Sequence, residues 1–136
     1  MTKIFCDIAD IKLIKKFNKK KLVKGFTTNP SLMRKAGAKD YKSYSKRILK
    51  ITNKPVSCEV FADDEKNMVR QGIMINRWGK NVYVKVPVTN SRGKFMGNVI
   101  NELNKKKNWK IKEFFKCDYI ASKDVNAWLG LAQVIK

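Results

Sequence analysis

Four short β-type runs, spaced about 20 to 30 residues apart and each followed by a helix-type segment, constrain this chain more than any other feature. They are "KIFCDIA" (3–9), "VKGFTTN" (23–29), "PVSCEVF" (55–61) and "NVYVKVPVT" (81–89). After the first, Asp10 is placed to cap a helix whose Ile11, Ile14 and Phe17 recur at helical spacing. After the second, Asn29 precedes Pro30, the residue favoured at a first helical position, and Ser31, Leu32 and Met33 follow. A further helix over about 40–52 puts Tyr41, Tyr44, Ile48 and Ile51 on one side. After the third run, Asp63 or Asp64 opens a helix carrying Met68, Val69, Gly72, Ile73 and Ile75 toward Trp78. After the fourth, 91–106 carries Phe95, Val99, Ile100 and Leu103, again at helical spacing. This alternation predicts right-handed βαβ units and a parallel sheet.

Both a doubly wound open sheet and a (β/α) barrel use such units, and strand parity separates them. In the first run Ile4, Cys6 and Ile8 oppose Phe5 and Asp7; in the second, Phe26 and Thr28 oppose Thr27 and Asn29. In the third, Val56, Cys58 and Val60 oppose Ser57 and Glu59; in the fourth, the valines oppose Tyr83 and Lys85. Each strand thus has one apolar face and one that turns polar toward its C-terminal end. An open sheet covered on both sides wants apolar residues on both faces. A barrel interior that becomes a site at its C-terminal rim produces the asymmetry directly. The first strand also lacks a following glycine-rich dinucleotide turn. The fold class expected is α/β, a parallel (β/α) barrel of TIM type.

Composition narrows the function. With 43% hydrophobic and 10% aromatic residues in 136, the chain suits one folded domain. Its N-terminus has an aspartate within the apolar run and no small-residue cleavage site, so no secretory leader is expected. No apolar run approaches the roughly 20 residues of a membrane helix. Cys6, Cys58 and Cys117 form no C-x-x-C pair and there is no histidine, which argues against a metal site and against imidazole chemistry. Cys6 and Cys58 alternate with apolar neighbours and are expected to be buried free thiols in a reducing, cytoplasmic compartment. The formal charge of +20 raises nucleic acid as a partner, but lysine is spread along the whole chain without a stacking motif or phosphate loop. Nucleic acid is therefore not the expected partner.

On the barrel parity, Asp7, Thr27, Asn29, Glu59 and Lys85 converge on one rim. Burying an unpartnered ammonium costs on the order of several kcal/mol, so a lysine in an apolar strand points to use. Desolvation favours the neutral, nucleophilic amine. Such an amine adds to a ketone or aldehyde and forms an iminium, an electron sink for making or breaking the neighbouring C–C bond. Asp7 can shuttle the proton, while Asn29, Thr27 and Glu59 can orient substrate or water. Plainer roles stay open: Asp7 or Asn29 as helix caps, Glu59 as a structural partner of Lys85, Lys85 as a strand-end lysine reaching solvent.

"FCDIADI", "GFTTNPSL", "SCEV" and "VYVKVPVT" resemble, in order and spacing from residue 3 to about 105, the small transaldolases and fructose-6-phosphate aldolases. The resemblance implies an enzyme that transfers or cleaves a dihydroxyacetone unit of sugar phosphates with no cofactor or metal. It makes Lys85 the Schiff-base lysine and Asp7 the proton-transfer aspartate. Thr27 and Asn29 take substrate-orienting positions, with Thr28 between them grouped as substrate-binding. Glu59 matches the acidic residue of transaldolases, where the aldolase branch tends to carry glutamine. Residues 1–108 then form the N-terminal half of a barrel, and 109–136 a divergent tail, with "CDYIAS" as a candidate fifth strand and a helix from about 123 to 135. The tail lacks the family's next polar strand and its arginine-bearing loop for the substrate phosphate. Eight units close a barrel, so four or five leave it incomplete, with weak or absent activity expected for the chain alone. Exposed edges also lead us to expect pairing of two chains, a homo-oligomer.

Overall fold

The computed structural model describes residues 3–105. In chain order these form β1 (Ile4–Asp7), α1 (Ile11–Asn18), β2 (Val23–Thr27), α2 (Pro30–Lys35) and α3 (Tyr41–Ile51). Then follow β3 (Val56–Glu59), α4 (Glu65–Asn76), β4 (Val82–Lys85) and α5 (Gly97–Lys105). The first four helices start where an Asx side chain meets a free backbone N–H. Asp10 accepts from Leu13 N, Asn29 from Leu32 N, Asp40 from Ser43 N and Asp64 from Asn67 N, all at 2.8–2.9 Å. Each such cap is worth about 1 kcal/mol. No helix among the described residues is long and apolar enough to cross a membrane.

The strands pair in parallel in the sequential order β1-β2-β3-β4, without the reversal of order that marks a doubly wound sheet. One core cluster holds Phe26, Val56, Cys58, Val60, Val82, Val84 and Val86 from one strand parity. The same cluster includes Ile14 of α1, Met33 of α2, Ile48 of α3, Met68 and Ile75 of α4, and Val99 and Leu103 of α5. All five helices therefore cover a single face of the sheet, as in a barrel wall. Phe5, of the opposite parity, is buried yet stands outside that cluster. It lies over Gly25, its register partner, where a Cβ would strike both the Phe5 ring and the Pro55 carbonyl. The architecture is a partial TIM barrel of four βα units.

Three departures from the sequence reading have local causes. The strands stop at Asp7, Thr27, Glu59 and Lys85, short of the apolar runs. Asn29 is already serving as the α2 cap, the Phe61 and Ala62 N–H groups donate to Gln71 Oε1, and Pro87 has no N–H to give a ladder. The last helix opens at Gly97 rather than near residue 91. Thr89 bridges back to Phe95, and Asn90 Oδ1 accepts from the Arg92 and Lys94 N–H groups around Gly93 at φ +76°. Phe95 is consequently 66% exposed, and Met96 takes the core position. Cys58 is a buried free thiol whose pKa burial pushes up to about 11, whereas Cys6 is only half-buried. Cys117 and the candidate strand and helix of 109–136 lie outside the described residues.

Candidate active site

Register fixes the site. Asp7, Thr27, Ser57 and Tyr83 are successive partners across the four strands, and Glu59 pairs with Lys85 one pleat nearer the C-terminal ends. All six side chains share the parity opposite the helices. The Lys85 ammonium lies 3.5 Å from Glu59 Oε2, with the two side chains 15% and 21% exposed. Thr27 Oγ1 donates to Asp7 Oδ1 at 2.7 Å. Ser57 Oγ, between these pairs, is buried and has no hydrogen-bond partner among the described residues. Burial pushes the Glu59 carboxyl up from its ordinary value; the Lys85 charge and hydrogen bond pull it back, and Asp7 adds a smaller upward push.

A bowl of about 830 Å³ opens above this floor, with Asp7, Asn29, Glu59 and Lys85 among its lining residues. One wall comes from α2 and the loop after it, the other from the β3–α4 and β4–α5 loops. Those two loops are tied together at Asp63, whose carboxylate accepts from Ser91 N and Ser91 Oγ, both at 2.7 Å. Asn90 Nδ2 donates to the Asp63 carbonyl at 3.0 Å. The Ser91 hydrogen bonds, aided by nearby Arg92, hold the Asp63 carboxyl below its usual range.

Asn29 caps α2 and also lines the bowl, so the cap role leaves it at the site. Thr27 reaches the bowl through Asp7 and is itself buried. Thr28 points the other way: it is fully buried and its hydroxyl donates to the Ser57 carbonyl at 2.6 Å, leaving it outside the bowl. Asp7 does not cap α1, because Asp10 does. Sequence reading missed Tyr41, whose hydroxyl accepts from Glu59 N at 2.8 Å and donates to Glu59 O at 3.1 Å. Ser57 was within reach, since it shares the Glu59 parity.

Fold and site together define a (β/α)-barrel protein with a lysine–carboxylate floor at the C-terminal ends of its strands, where barrel enzymes place their chemistry. The sequence profile of the Transaldolase/Fructose-6-phosphate aldolase family matches residues 4–108, and the chain belongs to that family. A probable transaldolase of Methanococcus maripaludis is 41% identical over 100 residues, 74% of this chain and 46% of the relative. Those of Nitrosopumilus maritimus and Dehalococcoides mccartyi are 46% and 43% identical, each over 64% of this chain and 39% and 41% of the relative. The chain spans less than half the length of these curated relatives.

Proposed function

We propose that this chain carries the Schiff-base half of a transaldolase-type site, acting on the dihydroxyacetone unit of a ketose phosphate. The observation that carries the reading is the Glu59–Lys85 pair at 3.5 Å sharing one bowl with the Asp7–Thr27 pair. Lys85 passes a proton to Glu59, whose raised pKa suits it as acceptor, and the neutral amine attacks the ketose carbonyl. The carbinolamine loses water to give an iminium. Asp7 takes the proton of the hydroxyl on the β carbon, the α–β bond breaks, and its electron pair enters the iminium to give an enamine. The β carbon leaves as an aldehyde. The enamine adds to an acceptor aldehyde, which recovers the proton from Asp7, or is protonated; hydrolysis then frees Lys85. Glu59, in place of glutamine, favours transfer over cleavage in this reading.

Borohydride trapping with fructose 6-phosphate tests it. A reduced adduct mapped to Lys85 and lost in Lys85→Met is the expected result; no adduct under any condition sinks the reading for this chain. Slow turnover is expected, because the described residues supply four of the eight strands that close a barrel. That shortfall favours a second reading, an inactive half-barrel, which a chain without any trapped adduct would select. Among the described residues β1 and β4 each pair on one side only, and a second copy could complete the wall. Light scattering showing a monodisperse monomer would remove that assembly.

A further inference from the structure

The charges around the bowl are distributed unevenly. On the β3–β4 side three cations are ion-paired: Lys85 with Glu59 at 3.5 Å, Arg92 with Asp63 at 3.9 Å and Lys94 with Glu65 at 3.1 Å. On the α2 side Arg34, Lys35 and Lys39 line the same bowl, all exposed, and none has a side-chain ion pair or hydrogen bond among the described residues. No aspartate or glutamate occurs between Asp10 and Asp40 to compensate them.

The backbone brings the three cations together. After α2 the chain reverses through Gly37 at φ +86°, a conformation open to glycine at little cost. The Gly37 N–H donates to Arg34 O at 3.0 Å and the Ala38 N–H to Met33 O at 2.9 Å, closing the helix end. Lys39 thereby returns to the wall that carries Arg34 and Lys35. Asp40 then starts α3, and its carboxylate is engaged by Ser43. Three cations on a locked turn, facing a cavity whose floor already holds two carboxylates, leave that wall electropositive. An arginine supplies a planar fork suited to phosphate oxygens, and lysines supply point charges.

We infer that Arg34, Lys35 and Lys39 form an anion subsite on the α2 wall that takes the phosphate of a phosphorylated sugar whose other end reaches Lys85. It is distinct from the arginine-bearing loop that the family resemblance implies. The inference deepens the Schiff-base reading and rests on it for the position of the reacting carbon, but phosphate binding itself does not depend on that chemistry.

The experiment compares three full-length chains: the unaltered protein, a wall variant (Arg34→Gln, Lys35→Gln, Lys39→Gln) and a control variant (Lys15→Gln, Lys16→Gln, Lys19→Gln). The control removes the same charge from a separate lysine-lined concavity at the far end of α1. Inorganic phosphate and fructose 6-phosphate are titrated by calorimetry and phosphorus NMR at low salt. The wall variant is expected to bind both about tenfold more weakly, the sum of three exposed charge contacts, while the control stays within about twofold. Equal weakening in both variants, or no measurable binding by the unaltered chain, overturns the subsite. Trapping with fructose and with fructose 6-phosphate separates it from the parent reading. Wall-specific phosphate binding without any Lys85 adduct leaves the subsite standing and the imine chemistry refuted. A Lys85 adduct formed equally from both sugars and unaffected by the wall changes does the reverse.

Discussion

Tyr41→Phe is the sharpest test of how the site floor is held. β2 ends at Thr27 and the chain turns away into α2, so it offers no ladder partner beside Glu59. The Tyr41 hydroxyl fills the place of that missing strand, accepting from Glu59 N at 2.8 Å and donating to Glu59 O at 3.1 Å. Phenylalanine keeps the edge-on packing against Phe61 and Trp78, with ring centroids 5.8 and 5.5 Å away, and removes only the two hydrogen bonds. Each bond is worth about 1 kcal/mol net. Glu59 retains 21% side-chain exposure, so water can reach part of the site and the larger penalty for dry, unpaired groups does not apply in full. The loss is therefore about 2 kcal/mol, roughly thirtyfold in the folding equilibrium. Thermal melts should show a midpoint lower by roughly 6–10 °C for a chain of this length. With water admitted beside it, the Glu59 carboxyl should also titrate closer to its ordinary 4.5, as read by carbon NMR on labelled glutamate. Stability within about 0.5 kcal/mol of the parent and an unmoved Glu59 titration would refute the reasoning.

The remaining predictions concern protonation, packing and the opposite end of the sheet. Because the folded state raises the Glu59 pKa, its contribution to stability is fully present below 4.5 and is lost as pH rises through the raised value. Urea titrations at several pH values should show that decline in the parent and a flatter profile in Glu59→Gln. Gly25→Ala sets a Cβ 2.7 Å from the Pro55 carbonyl and against the Phe5 ring. Denaturant unfolding should show a loss of about 1–3 kcal/mol, and an unchanged midpoint would contradict the close approach of β1 and β2. Asn81 Nδ2 donates to the carbonyls of Leu49, Thr52 and Lys54 at 3.4, 2.6 and 3.1 Å. Asn81→Ala should cost about 2 kcal/mol in the same assay while leaving Lys85 trapping by ketose unchanged.

What the sequence disclosed was governed by short-range rules. Asp10 and Asn29 act at their own helix starts, so spacing located them, and it narrowed the α4 cap to Asp63 or Asp64, of which Asp64 serves. Parity located the face shared by Asp7, Thr27, Glu59 and Lys85, because a strand alternates whatever surrounds it. Hidden features depend on partners remote in sequence. Tyr41 reads as one apolar position in a helical stripe until the fold carries it 18 residues along to Glu59. Phe95 fits the α5 stripe by spacing, yet the Asn90–Lys94 turn displaces it to the surface. The anion wall is illegible for the same reason: Arg34, Lys35 and Lys39 look like ordinary solvated lysine-rich sequence until the Gly37 turn places them on the bowl.

Strand geometry also limits what the bowl can act on. Asp7 and Lys85 sit on β1 and β4, three interstrand steps apart. At about 4.8 Å per step, a flat sheet would separate their backbones by roughly 14 Å. Side chains stand roughly perpendicular to a sheet, so length alone does not bring the Lys85 nitrogen to the Asp7 oxygens. Their tips would stay roughly 14 Å apart in a flat sheet and approach each other only as the sheet curves toward this face. An iminium carbon and a hydroxyl on its β carbon are separated by three bonds and fit that gap only when the sheet is curved. Flattening would pull Asp7 out of reach while leaving the Glu59–Lys85 pair, on adjacent strands, intact. In the proposed Schiff-base reaction, imine formation would depend on local contacts present in four strands, whereas carbon–carbon cleavage would depend on barrel curvature. A half-barrel that traps ketose on Lys85 yet turns over slowly is the expected behaviour of this geometry.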